Sequence, residues 1–512
     1  MPSLNSSPGP RTFDPASGGV TKARRRVDRL ARTLLPYPRD VALGVLLRSV
    51  RDLVLGRRPR TLILAEKAVR YESLWRAQRS KDLLSRGDPF GAAAEALEIE
   101  RIDPQNKIAP GLGMAASWTE AIRGRATNRL DPRDVADAQD QLRAEGHVRP
   151  VIMLYHQVSP ESPFQPLLYR QAWAHGIAPI PLHDLADLPA AEAAIAPETA
   201  RVLHLHWVNR ILSPAADASD ARRRIDVMTS TLDNILKDHW SIVWTVHNIL
   251  PHDSLLPEEE AVLRQAIADR AALIHIMARS TIELAAPWFR IRPERSVHVP
   301  LPSFRGAYPD FIDRSAARFA LGLEGDARVI TVVGGLRPYK GLDILLDAFD
   351  VAVRDHPDLR LLIAGAPNRS PEITAFLERA RAHPRVHLHA RMVSSDDLQL
   401  YLRAADAAVL PYVRTLNSAF MKLALAFDLP VIAPDLGGIP EYVDPSVATV
   451  FPAGDVDALS AALGAVQTVS PAMVATARRI SEAHDADLIS GKLMAAIRRA
   501  IDDGVPITTD RT

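Results

Sequence analysis

The sixteen residues GGLRPYKGLDILLDAF (334–349) decide the fold of this chain. They follow RVITVV (328–333), a short apolar run rich in β-branched residues that is typical of a buried strand. After Gly341, apolar residues recur at helical spacing, so the stretch predicts a strand, a glycine turn and a helix of an α/β unit. Glycines let backbone amides approach a ligand, and a helix start favours anions. With Arg337 and Lys340 in the same turn, the stretch predicts a site for a phosphate-bearing ligand.

From residue 149 onwards, short apolar strands alternate with helices in two successive series, the second of which starts at residue 328. This alternation predicts parallel sheets covered on both faces. The predicted fold class is α/β, with two Rossmann-like doubly wound domains facing a cleft at the carboxyl ends of their strands. The predicted segments are a disordered tail (1–21), a helical basic N-terminal extension (22–148), a first Rossmann-like domain (149–310), a second one (311–470) and a C-terminal helix with a tail (471–512).

Composition excludes several classes of function. The 512 residues carry 62 basic and 61 acidic side chains, so no nucleic-acid partner is expected. The chain has no cysteine, which excludes disulfides, thiolate metal sites and cysteine nucleophiles. No stretch reaches the roughly 18–20 apolar residues of a transmembrane helix, and the N-terminus lacks the pattern of a signal peptide. A cytoplasmic protein is therefore expected.

The N-terminal extension contains an apolar stripe between Val41 and Val54, surrounded by arginines. This pattern fits a helix packed on the main body with a solvated basic face, and it also fits a helix lying on an anionic membrane. Pro36 and Pro38 interrupt the stretch and favour the first alternative. Peripheral contact with the inner face of the plasma membrane stays open.

With both domains in view, the chain resembles the GT-B glycosyltransferases, and its second half resembles the family-4-type members. The resemblance is carried by the glycine turn (334–341) and by PVIAPDLGGIPE (430–441). It implies a nucleotide-sugar donor bound by the second domain, an acceptor bound by the first, and a C-terminal helix that crosses back to the first domain. The nucleotide sugar is a substrate, and no cofactor is expected.

Retaining family-4-type enzymes carry two glutamates at positions that correspond to Thr415 and Leu423, and an arginine at the position of Gly335. The chain is more similar to bacterial exopolysaccharide β-mannosyltransferases, through the motifs RPYKG (337–341), NS (417–418), HW (206–207) and HN (247–248). That resemblance implies inverting transfer of mannose from GDP-mannose to a glycan or polyprenyl-linked lipid acceptor, in synthesis of exopolysaccharide or cell-envelope glycan. The alternatives are a retaining enzyme that uses a UDP-sugar and a catalytically silent GT-B partner subunit. A GT-B sugar-nucleotide epimerase fits poorly, because such a protein has no long N-terminal extension.

On the donor side, the departing diphosphate develops negative charge, which preorganised cations stabilise. Arg337 supplies a planar fork and Lys340 a point charge, so together they replace a metal ion. Asn417 and Ser418 either donate to the phosphates or merely cap the next helix, and Glu441 either holds a sugar hydroxyl or caps a loop. The expected donor-binding residues are Gly334, Gly335, Arg337, Lys340, Asn417, Ser418, Gly437, Gly438 and Glu441.

On the acceptor side, an inverting transfer needs a base for the acceptor hydroxyl. His206 and His247 are the expected catalytic residues of the first domain, with His252 and Asp253 as further ionisable candidates. Since His204 and His206 alternate along a strand, one is expected to face the sheet packing and the other the loop. The expected acceptor-binding residues are Ser162, Phe164, Trp207, Asn248 and His252.

Other chemistries lack their motifs. The sixteen histidines include no HExxH pair or other paired ligand spacing, so no metal site is expected. Neither domain carries the GxGxxG turn of nicotinamide enzymes, and no P-loop occurs.

Overall fold

The computed structural model describes residues 129–159, 162–251, 254–310 and 312–503, which form two α/β domains. The strands coincide with the apolar β-branched runs of the sequence. They are β1 (Val151–His156), β2 (Ile177–Leu182), β3 (Ala200–Leu205), β4 (Trp240–Val246), β5 (Leu273–Ile276), β6 (Ser296–His298), β7 (Arg328–Val333), β8 (Leu359–Ala364), β9 (Val386–His389), β10 (Ala407–Val409), β11 (Val431–Pro434) and β12 (Ala448–Phe451).

Several helices begin at a Ser or Asp whose side chain accepts a hydrogen bond from the first turn, as Ser370 and Asp455 do. The helices are α1 (Pro132–Ala144), α2 (Phe164–Leu168), α3 (Leu188–Ala194), α4 (Asn209–Leu212), α5 (Ala218–Lys237), α6 (Pro257–Arg270), α7 (Thr281–Ala285), α8 (Arg314–Ala320), α9 (Leu342–Asp355), α10 (Pro371–Ala382), α11 (Leu398–Ala404), α12 (Ala419–Ala426), α13 (Val456–Gly464), α14 (Pro471–Ala483) and α15 (Ala486–Asp502).

Each domain contains one parallel six-stranded sheet. The first sheet has the order β2-β1-β3-β4-β5-β6, and the second has the order β12-β11-β10-β7-β8-β9. The strand order therefore reverses between β1 and β3 in the first sheet and between β7 and β10 in the second. Ligands of doubly wound sheets bind beyond the carboxyl ends of the strands at such reversals. The predicted fold class, two doubly wound α/β domains, is confirmed.

Both faces of the first sheet are covered. Ile152 and Leu154 point to one face and pack in a cluster with α1, α5 and α6, whereas Val151 and Met153 point to the other and pack with α2 and α15. This two-sided burial explains why the strands are apolar throughout instead of alternating. In the second domain, an apolar cluster joins β7, β8, α9 and α10.

The first domain starts earlier in the chain than predicted. Helix α1 places Val135, Ala138 and Leu142, at helical spacing, in the core of the first domain. The predicted boundary at residues 148/149 is therefore wrong, because this helix covers the sheet instead of belonging to a separate extension. The rest of the extension and the tail, residues 1–128, lie outside the described residues, so the amphipathic stripe between Val41 and Val54 stays a prediction.

The C-terminal segment forms two helices where one was predicted over 471–502. Helix α14 packs against α12 of the second domain, and α15 packs against α2 of the first. The break lies at His484 and Asp485, where the Asp485 side chain accepts a hydrogen bond from the Asp487 amide and caps α15. Ile489, Leu493 and Ile497 of α15 are fully buried in the first domain, so the chain crosses back as the resemblance implied.

Candidate functional site

The loops that follow β7 and β10 meet at the strand-order reversal of the second sheet. The loop after β7 is the glycine turn, in which Gly334 has φ +114° and Gly341 has φ +62°. A Cβ atom at Gly341 would lie 2.1 Å from the carbonyl oxygen of Pro411, just beyond β10. Glycine at 341 thus allows the turn to lie directly against the chain that leaves β10.

Lys340 and Arg337 bring two positive charges to this turn. Lys340 is 7% exposed, and burial, together with the charge of Arg337, lowers its pKa to about 8. The Arg337 guanidinium donates to the carbonyl oxygens of Leu336 (3.0 Å) and Ala366 (3.2 Å), which fixes its position beside the turn. Two cations held this close repel each other, and an anion bound between them relieves that repulsion.

Asn417 and Ser418 play different structural parts. The Ser418 hydroxyl accepts a hydrogen bond from the Met421 amide (3.1 Å) and caps α12, as the N-cap alternative predicted. The side-chain nitrogen and oxygen of Asn417 are both buried, and neither has a hydrogen-bond partner within the part of the chain that the structure describes. A buried amide without partners is costly, so Asn417 points to a polar ligand at this loop.

Gly437, Gly438 and Glu441 lie where the two domains touch. A Cβ atom at Gly437 would meet the carbonyl oxygen of Thr415 at 2.4 Å, and one at Gly438 would meet Cβ of Ala278, in the first domain, at 2.2 Å. These glycines therefore allow their loop to pack closely against Thr415 and against Ala278. Both Glu441 oxygens accept hydrogen bonds: the Arg279 amide donates at 2.7 Å, and the Ser280 amide and hydroxyl donate at 2.9 and 2.7 Å. Burial raises the pKa of Glu441, but these hydrogen bonds outweigh it and lower the pKa, so a carboxylate joins the domains.

In the first domain, aromatic rings surround two histidines at the ends of β3 and β4. Trp207 stacks on His247 with ring centroids 4.1 Å apart and an interplanar angle of 18°. Phe164, the first residue of α2, approaches His247 edge-on at 5.2 Å and His206 at 6.0 Å. Trp207 has φ +31°, an uncommon backbone conformation for a non-glycine residue. The structure thus brings His206, His247, Trp207 and Phe164 together at the reversal of the first sheet.

His206 is not accessible to a substrate. It is fully buried, its Nε2 lies 2.6 Å from the Tyr169 hydroxyl, and its Nδ1 lies 2.9 Å from His247 Nε2. Because both nitrogens already have partners, His206 cannot itself take a proton from an acceptor hydroxyl, contrary to the sequence-based expectation. His247 is only half-buried and remains the candidate that an acceptor can contact.

His204 corrects a second expectation. Its ring is fully buried and lies 4.3 Å from that of His206, so the two side chains share one face of β3. The expectation that one faces the sheet packing and the other the loop is wrong, since side chains two residues apart on a strand point the same way. Burial lowers the pKa of both histidines well below the usual value.

The remaining acceptor-side residues lie around this cluster. Ser162 accepts a hydrogen bond from the Phe164 amide (3.3 Å), which shapes the loop after β1. Asn248 lines a cavity of about 10 Å³ together with Trp207, His247 and Arg264. Since a cavity of this size holds roughly one water molecule, a sugar must approach from the cleft outside it. His252 and Asp253 lie outside the described residues.

The described residues contain neither a metal site nor a membrane-spanning helix. Within residues 129–503, apart from the gaps named above, no three His, Asp or Glu side chains converge as a metal site would require. Across the same ranges, no helix combines the length and hydropathy of a membrane span.

Comparison with known proteins agrees with this architecture. Residues 327–468, from the start of β7 to beyond α13, match the family Glycosyl transferases group 1. The second domain is thus similar in sequence to the group 1 glycosyltransferase domain. The structure resembles that of sucrose-phosphate synthase from Thermosynechococcus elongatus, with a TM-score of 0.53, 16% identity and coverage of 69% of this chain and 100% of that one. This likeness supports the GT-B fold alone.

Curated relatives match this chain in sequence, and two of the most similar are described here. GDP-mannose:glycolipid 4-beta-D-mannosyltransferase of Xanthomonas campestris pv. campestris is 30% identical over 237 residues, which is 46% of this chain and 61% of the relative. D-inositol 3-phosphate glycosyltransferase of Jonesia denitrificans is 32% identical over 227 residues, covering 40% of this chain and 52% of the relative. The chain thus spans between about half and three fifths of their lengths.

Several residues near the site escaped sequence analysis. Thr245 hydrogen-bonds directly to His275 and is joined to Tyr169 through His204. These residues lie on different elements, and no motif links them. Arg264, in the middle of α6, lines the cavity beside His247 and pairs with Glu260. A charged residue in a helix gives no signal of its burial until the packing of that helix is known.

Proposed function

We propose that this chain is a metal-independent glycosyltransferase that takes a hexose from a nucleotide sugar bound in the second domain. The observation that carries the proposal is the group formed by Lys340, Arg337 and the unpartnered amide of Asn417 at the reversal between β7 and β10. Two cations and an amide offer five or more donors to a diphosphate, and positioned cations stabilise the charge that develops as it leaves. The family match of residues 327–468 supports the same reaction class.

The proposed donor is GDP-mannose, and the proposed acceptor is a glycan or a polyprenyl-linked lipid of exopolysaccharide or cell-envelope synthesis. Support comes from the relative named as a GDP-mannose:glycolipid mannosyltransferase and from the RPYKG, NS, HW and HN motifs. A lipid-linked acceptor would bring a cytoplasmic protein to the inner face of the plasma membrane. The donor loops would be shaped by Gly334, Gly335, Ser418, Gly437, Gly438 and Glu441. The acceptor side would be formed by Ser162, Phe164, Trp207 and Asn248. The acceptor role of His252 stays a prediction.

Transfer is proposed to be inverting. Leu423, at a position where retaining relatives carry a glutamate, is a buried apolar residue, and Thr415 donates its hydroxyl to the Asn417 carbonyl oxygen at 2.7 Å. Without this acidic pair, the simpler mechanism is direct displacement by an acceptor hydroxyl whose proton is taken by a base of the first domain. An α-linked donor then gives a β-glycoside, which the anomeric coupling in the NMR spectrum of the product reports; an α-product would show retention.

Donor binding tests the proposal directly. In a thermal-shift series with GDP-mannose, GDP-glucose, UDP-glucose and UDP-galactose, we expect GDP-mannose to raise the melting temperature most, with or without EDTA. Lys340→Met should abolish the shift, whereas Lys237→Met, at an exposed site on α5, should retain it. If no nucleotide sugar stabilises the protein, the proposal is refuted. If one binds but is neither transferred nor hydrolysed, the chain is a silent partner subunit.

A further inference from the structure

A continuous chain of hydrogen bonds crosses the first sheet from β6 to the cleft. The Val299 carbonyl oxygen, just after β6, lies 2.7 Å from His275 Nε2, and His275 Nδ1 lies 3.0 Å from the Thr245 hydroxyl. The Thr245 hydroxyl lies 2.8 Å from His204 Nε2, and His204 Nδ1 lies 3.0 Å from the Tyr169 hydroxyl. From Tyr169 the chain continues to His206 and then to His247, at the distances given above.

The Val299 carbonyl oxygen, at one end of this series, determines which atom donates and which accepts in every hydrogen bond of it. A carbonyl oxygen can only accept, so Nε2 of His275 carries the proton. Burial lowers the pKa of His275 to about 4, so the ring is neutral and its Nδ1 accepts from the Thr245 hydroxyl. The Thr245 oxygen must then accept from Nε2 of His204, because its one proton is already used.

The hydrogen bonds from His204 to His247 have their donors and acceptors fixed in the same way. Neutral His204 accepts at Nδ1 from the Tyr169 hydroxyl, whose oxygen accepts from Nε2 of His206. His206 Nδ1 therefore accepts from Nε2 of His247, and all four histidines carry their proton on Nε2. The lone pair of His247 Nδ1 is the one basic nitrogen that this chain leaves unused.

We infer that the series of hydrogen bonds from Val299 holds His247 in a single tautomer, so that its Nδ1 receives the proton of the attacking acceptor hydroxyl. The positioning residues are Tyr169, Thr245, His204, His206 and His275. The catalytic part rests on the proposed function. As the acceptor oxygen bonds to the anomeric carbon, its O–H bond breaks and the proton passes to Nδ1. The bond from that carbon to the diphosphate breaks, and the diphosphate leaves with the bonding electrons.

Burial disfavours the charged form of His247 and lowers its pKa to about 3, and the chain of hydrogen bonds offsets part of this cost in the transfer step. Protonated His247 donates its Nε2 proton to the lone pair of His206 Nδ1, a charge-assisted hydrogen bond that is stronger than the neutral one. His206 is held in the accepting tautomer by Tyr169. Stacking of Trp207 on His247 adds a ring face to which a cation is attracted.

The tautomers can be measured without substrate. In the full-length protein with ¹⁵N-labelled histidine, long-range ¹⁵N–¹H correlation spectra at pH 7 show which ring nitrogen carries the proton, and His247→Gln assigns the signal. We expect His204, His206, His247 and His275 to be neutral and protonated on Nε2. A proton on Nδ1 of His247, or a charged His247 at pH 7, would overturn the inference.

A matched pair of variants tests whether the series of hydrogen bonds fixes the tautomer of His247. Tyr169→Phe removes the hydroxyl that orients His206, so we expect His247 to populate both tautomers. Tyr155→Phe is the control, since Tyr155 packs 4.9 Å from Tyr169 but is not a member of the chain. Thr245→Val breaks the chain at another point and serves if Tyr169→Phe does not fold. An unchanged single tautomer of His247 in a folded chain-breaking variant would contradict the inference.

Activity separates this inference from the proposed function. We expect His247→Gln to lower kcat at least 100-fold, and Tyr169→Phe about 10-fold, with the KM for the donor unchanged. Full activity of His247→Gln would refute the base assignment. A wild-type protein with the expected tautomers but no transfer to any acceptor would instead refute the proposed function, while the tautomer assignment would stand.

Discussion

At the scale of single residues, the site depends on cations kept away from water. Lys340 illustrates this, because burial lowers its pKa to about 8 and brings its titration close to physiological pH. A lysine is charged below its pKa and neutral above it. The strength of an anion site built on Lys340 must therefore depend on pH in a range where most lysines stay charged.

We predict that nucleotide-sugar affinity falls as the pH rises from 7 to 9, because Lys340 loses its charge while the diphosphate diester keeps both of its own. The loss should reach about 10-fold, since a charge-assisted hydrogen bond contributes roughly 1.5–3 kcal/mol. Isothermal titration calorimetry at several pH values measures it. Lys340→Arg should bind with little dependence on pH over this range; a Lys340→Arg profile that still falls like that of the wild type would contradict the assignment.

Lys422 is a second buried lysine, with a cost to stability and no evident gain. It is 2% exposed, its Nζ lies 4.1 Å from the centre of the Tyr442 ring, and that nitrogen has no hydrogen-bond partner among the residues described. Burial lowers its pKa to about 7. The attraction to the ring offsets only part of the cost of removing an ammonium group from water.

We therefore predict that Lys422→Met, which keeps the length of the side chain, stabilises the protein by roughly 1–3 kcal/mol at pH 7. Urea unfolding measures the change. As the pH rises towards 10 it approaches the pKa of the unfolded lysine, so loss of the proton on folding costs less and the difference between variant and wild type should shrink. A less stable Lys422→Met protein at pH 7 would show that the ring contact outweighs the desolvation.

Sequence patterns predicted some residues of the candidate site and missed others for a physical reason. Arg337, Lys340, Asn417 and His247 were found because each follows a strand and belongs to a local motif. Tyr169, Thr245 and His275 were missed because their contact depends on the order of strands in a sheet. That order places β3, β4 and β5 side by side, and it cannot be read from spacing along the chain.

At the scale of elements, α15 is the helix that attaches the end of the chain to the first domain. Leu493 is fully buried in a cluster with Val151 and Met153 of β1, whereas Leu488 of the same helix is 46% exposed. The helix also makes polar contacts: the Ser490 hydroxyl accepts from the Gln171 amide at 2.9 Å, and Arg498 donates to the Arg149 carbonyl oxygen at 2.6 Å. The helix thus completes the core of a domain whose first strand, β1, lies more than 300 residues earlier.

We predict that Leu493→Ala lowers the free energy of unfolding by about 2–5 kcal/mol, because it opens a cavity in that core. Leu488→Ala is the matched control and should change it by less than about 0.5 kcal/mol. Chemical unfolding followed by tryptophan fluorescence checks both. Equal effects of the two substitutions would contradict the packing of α15 on the first sheet.

The sequence predicted which helices and strands exist better than it predicted the residues at which they begin and end. The strands of the second sheet from β7 to β11 follow apolar runs, in keeping with the predicted alternation of strands and helices from residue 328 onwards. The break between α14 and α15 was missed, since an Asp cap inside a helical pattern becomes visible only when the two helices pack on different domains. Helix α1 was assigned to the extension because its contacts with β1 and β2 are not encoded in local composition.

At the scale of the whole molecule, the first domain contains an unusual number of neutral histidines. Burial lowers the pKa of His247 to about 3 and that of His275 to about 4, and it holds those of His204 and His206 well below the usual value. In the unfolded chain these groups titrate near 6.5. Between these values the unfolded state binds more protons than the folded state, so stability rises with pH in this window.

We predict that the free energy of unfolding falls as the pH drops from 7 to 5, with His275 alone contributing roughly 2 kcal/mol to the loss at pH 5. The contribution of His275 should level off near pH 4, where it begins to be protonated in the folded state as well, whereas His247, with a pKa of about 3, continues to add to the loss there. Urea titrations across this range, each checked for a single transition, measure the slope. A stability that is flat between pH 7 and 5 would show that these rings are already charged in the folded protein.

The return of α15 to the first sheet has a consequence for biosynthesis. The ribosome releases Val151, Met153 and Leu168 long before it releases the helix that covers them. Until residues 486–502 emerge, the nascent first domain exposes an apolar sheet face, which favours aggregation and the binding of chaperones. We expect the second domain to acquire its structure first, although the ribosome makes it later, and a chain stalled before residue 486 to remain bound to a chaperone.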